Sequence, residues 1–202
     1  MPLHTQAWRA YLESLGIHST DEEIERRMHG RRNDDIVADF IGAGLAPAEI
    51  FEHGAAKERL FREMMRPQLE LYLVPGIAEF LDRWRNLPVA IASNAEPANI
   101  DFVLDNGGLR SRFPVIVNGQ QVERPKPFPD VYLRASELLG VRPARCLVFE
   151  DSPPGVASAR AAGCQVVGVQ THSADLTNVD FQIRDFRDPR LDAWLASRVV
   201  TV

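Results

Sequence analysis

"CLVFEDSPPGVASARAAG", residues 146–163, places an apolar run before two adjacent carboxylates, then Ser-Pro-Pro-Gly, then a small-residue helix. The run reads as a buried strand over 145–150, with Glu150 and Asp151 at its carboxyl end. Two carboxylates at the end of a buried strand repel each other and raise at least one pKa unless a cation shares the site. A hard divalent ion, Mg²⁺ above all, is the usual solution, held through one or two carboxylates plus water and substrate phosphate. The plainer alternative is that Asp151 or Ser152 caps the helix near Pro153, which employs one carboxylate and leaves the other idle.

Around this stretch, short apolar or β-branched runs alternate with helical segments. "PVAIAS" (88–93), "PVIVN" (114–118) and "QVVGV" (165–169) read as further buried strands, with helices at about 77–86, 96–107, 129–139 and 154–162. Alternation of this kind predicts a Rossmann-like parallel sheet with helices on both faces, and ligands bind beyond the carboxyl ends of such strands. Residues 1–72 are helical in pattern throughout. Trp8, Tyr11, Leu12 and Leu15 share a helical spacing that Gly16 ends; Thr20 caps "DEEIERRM" with Glu23 three residues on, and Gly30 closes it. Asn33 is placed to cap "DDIVADFI", and Pro47 opens a long helix through Phe51, Leu60, Phe61 and Met64 that Pro67 kinks or ends. The expected organisation is an all-helical domain over 1–72 and an α/β core over 73–202.

Composition narrows the function. The chain has 202 residues, 45% hydrophobic and 25% charged, with a net charge of -5, which disfavours a nucleic-acid or membrane-surface binder because those need a basic field. Arg26, Arg27, Arg31 and Arg32 cluster, but acids surround them. Cys146 and Cys164 read as small buried hydrophobes in a reducing compartment. No run is long enough for a membrane span and "MPLHTQAW" lacks a secretory layout, so a cytoplasmic location is expected.

Two further strand ends carry polar groups that packing does not explain. Ser93 and Asn94 follow "VAIA" just ahead of a helix start, where a hydroxyl, an amide and free N–H groups make a phosphate-oxygen cradle or, equally, a plain cap. Lys126 stands in "ERPKPFPDVY" between Pro125 and Pro127, a pre-set backbone suited to pointing an ammonium inward at a phosphoryl group.

Together, Ser-Asn after one strand, the proline-held lysine and "FEDSPPGVASARAAG" resemble the haloacid dehalogenase superfamily, in particular its β-phosphoglucomutase-like branch with a helical cap. "PLHTQAW" is similar to the stretch leading into that cap. The resemblance implies that Ser93 and the Asn94 backbone bind the transferring phosphoryl group, Lys126 stabilises it, and Glu150 with Asp151 holds Mg²⁺. It implies a phosphatase of small phosphorylated metabolites, sugar phosphates foremost, acting through an aspartyl-phosphate, with a phosphosugar mutase as the alternative. His4 matches a histidine near the cap hinge, and Arg31 or Arg32 in "GRRND" falls where cap loops reach toward substrate. For His4 an exposed terminal histidine, and for the arginines a balance against neighbouring acids, are the plainer readings.

Members of the family begin with an apolar strand ending in Asp-x-Asp, whose first aspartate is the nucleophile. No Asp-x-Asp occurs in these 202 residues. The expectation is therefore a chain that does not turn over as it stands and a sheet that is unstable, gapped or stitched by partner strands, as a monomer or weak homodimer. Three explanations fit: Met1 is internal to a longer natural chain, favoured because the other motifs are intact; the chain is a fragment; or it is a non-catalytic module that binds phosphate or Mg²⁺.

Overall fold

The structure, a computed structural model, describes residues 3–28, 31–171 and 176–198, and divides into two compact units after Leu69. The expected boundary at 72/73 falls just inside the second unit. Gly30 lies outside the described residues.

The first unit is helical: α1 (Leu3–Ser14), α2 (Asp21–Met28), α3 (Asn33–Phe40) and α4 (Pro47–Met65). Trp8 and Leu12 of α1, Ile24 of α2, and Ile36 and Val37 of α3 bury one apolar cluster. Thr20 caps α2, its Oγ1 accepting the N–H of Glu23 at 3.2 Å. Pro47 opens α4, where the preceding N–H of Ala46 donates to Glu49 at 2.8 Å. Asn33 does not cap α3. It is the first residue of that helix, and its side-chain amide donates instead to Glu58 at 2.8 Å. The N-cap position falls on Arg32, and the Asn33 side-chain amide N–H, which a helix start cannot use, satisfies a buried carboxylate that would be costly to leave unpaired. Phe51 is 64% exposed and takes no part in the core. After α4 come a 3-10 turn at Arg66–Gln68 and the short helix α5 (Leu69–Tyr72).

The second unit alternates α6 (Ile77–Arg83), β1 (Ala90–Ser93), α7 (Pro97–Asn106), β2 (Val115–Asn118), α8 (Asp130–Leu139), β3 (Leu147–Glu150), α9 (Pro153–Ala161), β4 (Gln165–Val169), β5 (Phe181–Ile183) and α10 (Pro189–Ala196). All pairings are parallel, with Ser93 opposite Asn118, Glu150 opposite Gly168, and Val169 opposite Ile183. Side-chain alternation sends Val148 and Val166 toward α8 and α9, and Phe149, Val167 and Val169 toward a cluster with Phe80 of α6 and Leu191 of α10. Ile91 and Ile116 pack with Ile100 and Leu104 of α7. Both faces are thus covered, as a parallel arrangement requires.

The strands nevertheless form two sheets, one of order β1-β2 and one of order β3-β4-β5, although Val117 of the first and Val148 and Val166 of the second share a single apolar cluster. Among the described residues, β1 and β3 are each bonded to one neighbour only. β1, expected to be buried, has no fully buried residue, whereas four of the five residues of β4, paired on both sides, are buried. Unpaired edges leave backbone groups to solvent and lower the cost of local opening. Hydrogen exchange followed by mass spectrometry should therefore show the amides of β1 exchanging well before those of β4; equal protection of the two strands would contradict the split.

Candidate active site

Three strand-end segments converge on one ammonium. Lys126 Nζ donates to the carbonyl of Ala92 in β1 at 3.0 Å and to the carboxylate of Glu150 at the end of β3. Its side chain is only 10% exposed and that of Glu150 6%. Tyr132, on α8, donates its hydroxyl to the same Glu150 oxygen, and Ser152 donates its hydroxyl to the other at 3.0 Å while capping α9 by accepting the N–H of Gly155. Burial by itself would raise the Glu150 pKa; the Lys126 charge, followed by hydrogen bonds from Lys126, Tyr132 and Ser152, outweighs it and holds the carboxyl below its ordinary value. Burial first, and then the Glu150 charge, push the Tyr132 phenol upward, so it stays a donor.

The loop carrying Lys126 is tied down on both sides. Asn94 Nδ2 donates to the Lys126 carbonyl at 3.2 Å, and the Lys126 N–H donates to Asn94 Oδ1 at 3.1 Å. The Asn94 side chain is spent on placing the lysine, and its backbone, the part expected to meet a phosphate, stays with the turn. Ser93 Oγ accepts the N–H of Ala95 at 3.0 Å and keeps its own proton to donate. At the other end of the loop, Ser158 of α9 donates to the carbonyl of Phe128 at 2.5 Å. Gly155 is required by close approach: a Cβ there would lie 2.0 Å from the Glu150 carboxylate.

Asp151, next along, is exposed and accepts from the Thr171 hydroxyl at 2.8 Å. The two adjacent carboxylates therefore point to different surroundings, and the cation compensating Glu150 is Lys126. Of this pair, Asp151 is the accessible donor for a Mg²⁺ ion that takes one protein carboxylate plus water and substrate oxygens, while both Glu150 oxygens are engaged by Lys126, Tyr132 and Ser152. Among the described residues, no group of three or more His, Cys, Asp and Glu side chains is placed to hold a metal.

The remaining expected residues belong to the helical unit. His4 stacks flat on Phe61 at 3.9 Å, with Nδ1 3.4 Å from the buried ammonium of Lys57; partial burial first, and then the Lys57 charge, lower its pKa. Arg31 pairs with Asp39 at 2.8 Å and donates to the carbonyls of Arg27 and Asp35, and Arg32, 83% exposed, lies 3.4 Å from Asp34. Tyr132, Thr171 and the Ala92 carbonyl were not anticipated, and Ser152 was expected only as the cap of the following helix, not as a donor to Glu150.

An open parallel α/β unit with a hydroxyl, a fixed lysine and paired carboxylates at its strand ends, joined to a helical unit, defines the class of a phosphoryl-handling α/β hydrolase. Residues 1–163 match the haloacid dehalogenase-like hydrolase family, and the chain belongs to it. It is similar to protein CbbY of Rhodobacter capsulatus, 40% identical over 158 residues that span 76% of this chain and 68% of that protein. It is also similar to fructose-1-phosphate phosphatase YqaB of Escherichia coli, 31% identical over 84% of this chain and 88% of that one. In fold it resembles a family IA hydrolase of this type from Entamoeba histolytica, with a TM-score of 0.78, 23% identity, and coverage of 92% and 87% of the two chains.

Replacing Lys126 by Met strands a buried carboxylate, which should cost about 3–5 kcal/mol in urea unfolding. The pH dependence should change sign with it. In the natural chain Glu150 sits below its ordinary value of 4.5, so its contribution is present above that pH and lost as pH falls through the lower folded value. In K126M, burial acts without the opposing ammonium, the folded value rises above the unfolded one, and acidification from neutral pH should stabilise. Parallel slopes in the two proteins would refute the pairing.

Proposed function

We propose that the chain carries the phosphoryl-binding half of a phosphatase acting on small phosphorylated metabolites, sugar phosphates foremost. The observation that carries this reading is Lys126, held by Asn94 on one side and Glu150 on the other, beside the free hydroxyl proton of Ser93. In this reading the Ser93 hydroxyl and the N–H groups of the turn after β1 donate to phosphoryl oxygens, which suits donors gathered at the start of α7. Lys126 offsets the charge that grows on those oxygens during transfer, while Tyr132 and Ser152 keep Glu150 ionised and so keep Lys126 in place. Mg²⁺, when bound at Asp151 beside the Lys126–Glu150 pair, would supply further charge compensation for the same oxygens. The substrate class follows from YqaB, described as a fructose-1-phosphate phosphatase.

The absence of Asp-x-Asp from the 202 residues favours a second reading, binding without chemistry. Aspartyl-phosphate formation needs an aspartate oxygen in line with the phosphorus. Asp151 is a poor choice for that part, since it points to Thr171 and serves better as a metal ligand.

Both readings are separated by assaying the 202-residue chain and a form extended upstream in its own reading frame, with Mg²⁺, against a panel of sugar phosphates. The phosphatase reading expects turnover in the extended form alone, and a loss of about 10²-fold or more in kcat in its S93A or K126A variants. A folded extended form without turnover on any member of the panel would overturn it in favour of the binding module.

A further inference from the structure

A cavity of about 620 Å³ opens at the carboxyl ends of β4 and β5, and it shares no lining residue with Ser93, Lys126 or Glu150. Because Val169 and Ile183 are in register, Gln170 and Arg184 leave the sheet side by side and line it together. Arg187 comes from the turn that follows. Its stem lies against the backbone of Gly76, where a Cβ would come within 2.7 Å of Arg187 Cγ, so a larger residue at 76 would displace it.

Of the two acids of the cavity, Asp188 holds Arg190 through both oxygens, at 2.6 and 3.0 Å, and Asp185 accepts the backbone N–H of Arg187 at 2.8 Å while keeping its charge. The guanidinium groups of Arg184 and Arg187 have no acceptor among the described residues, and neither do the side-chain amides of Gln170 and Gln182. Two planar forks with uncommitted donors, flanked by carboxamides, match a compact oxyanion bearing two charges, because guanidinium pairs bidentately with phosphate oxygens. The place is apt too, since open parallel sheets bind ligands beyond the carboxyl ends of their strands. Arg184, Arg187 and Arg190 outnumber Asp185 and Asp188 in the lining, so in a chain of net charge -5 the cavity keeps a local positive excess.

We propose that this cavity is a second anion site, which binds the phosphoryl group of a small phosphorylated metabolite through Arg184 and Arg187, separately from the Ser93–Lys126 group. The test is a titration of the ¹⁵N-labelled 202-residue chain with inorganic phosphate at constant ionic strength, read by amide chemical shifts. Saturable shifts should appear at Gln170 and across 182–187, and a double variant, R184Q with R187Q, should weaken that binding by about tenfold or more while shifts near Ser93 and Lys126 persist. Because both arginines are exposed, the variant should keep its fold; should circular dichroism say otherwise, R184Q alone gives the same readout. Shifts confined to Ser93, Asn94 and Lys126 would leave the first phosphate site standing and overturn this one. Equal affinity in the double variant, or the same shifts with chloride, would overturn it as well.

Discussion

One ammonium group joins what hydrogen bonding leaves apart. The strands of the α/β unit fall into two sheets, and at their carboxyl ends Lys126 reaches from the Ala92 carbonyl of β1 to the Glu150 carboxylate of β3. A charge pair this deeply buried holds only when its geometry is tight and its spare lone pairs are satisfied, because desolvation of the two ions competes with their attraction. Each neighbouring feature supplies part of that requirement. Asn94 clamps the lysine's backbone, Tyr132 and Ser152 fill the remaining carboxylate positions, and Gly155 leaves room where any side chain would strike Glu150. The pair ties three strand-end segments together and sets the electrostatics of the cleft they form.

The same arrangement explains how unevenly the unit is built. β4, paired on both sides, carries Val166, Val167 and Val169 at 4% exposure or less into clusters on opposite faces of its sheet. β1, paired on one side, depends on Ala90 and Ala92 packing against the α8 and α9 cluster and on Ile91 packing against α7. Burial of apolar side chains is non-directional and tolerates a gap in the ladder, whereas backbone hydrogen bonds do not. The helices therefore hold β1 in place, and the polar contacts at its end give that place its precision.

What the sequence disclosed followed the range of each interaction. Strands β1 to β4 and the helices between them were legible because continuous apolar runs and helical spacings are local patterns, and Thr20 and Pro47 act within a single helical turn. β5, three residues of "FQI", and α10 were missed, the first being too short and too mixed for any periodicity to register. Asn33 was misjudged because its amide passes over its local backbone for Glu58, far along the chain, and the equally distant tie between the Asn94 side chain and the Lys126 loop was not foreseen. Tyr132 is the sharpest omission. On α8 it reads as one more apolar position, and nothing before the fold exists reveals that its hydroxyl meets Glu150.

Two adjacent carboxylates were taken to require a cation and Lys126 to pair with carboxylates near it, and for Glu150 the two expectations meet in one salt bridge. The nearest compensating charge is a lysine 24 residues upstream, so the pair divides its labour by environment. Glu150 turns inward, where neutralisation by Lys126 makes it part of the frame. Asp151 turns outward to Thr171, where a carboxylate in contact with water keeps the hydration that hard cations exchange most readily. Loss of Glu150 would be felt first in the joining of the sheets, and loss of Asp151 first in whatever the cleft binds. Adjacent in sequence and identical in charge, the two residues differ in consequence because one is held by the fold and the other faces out of it.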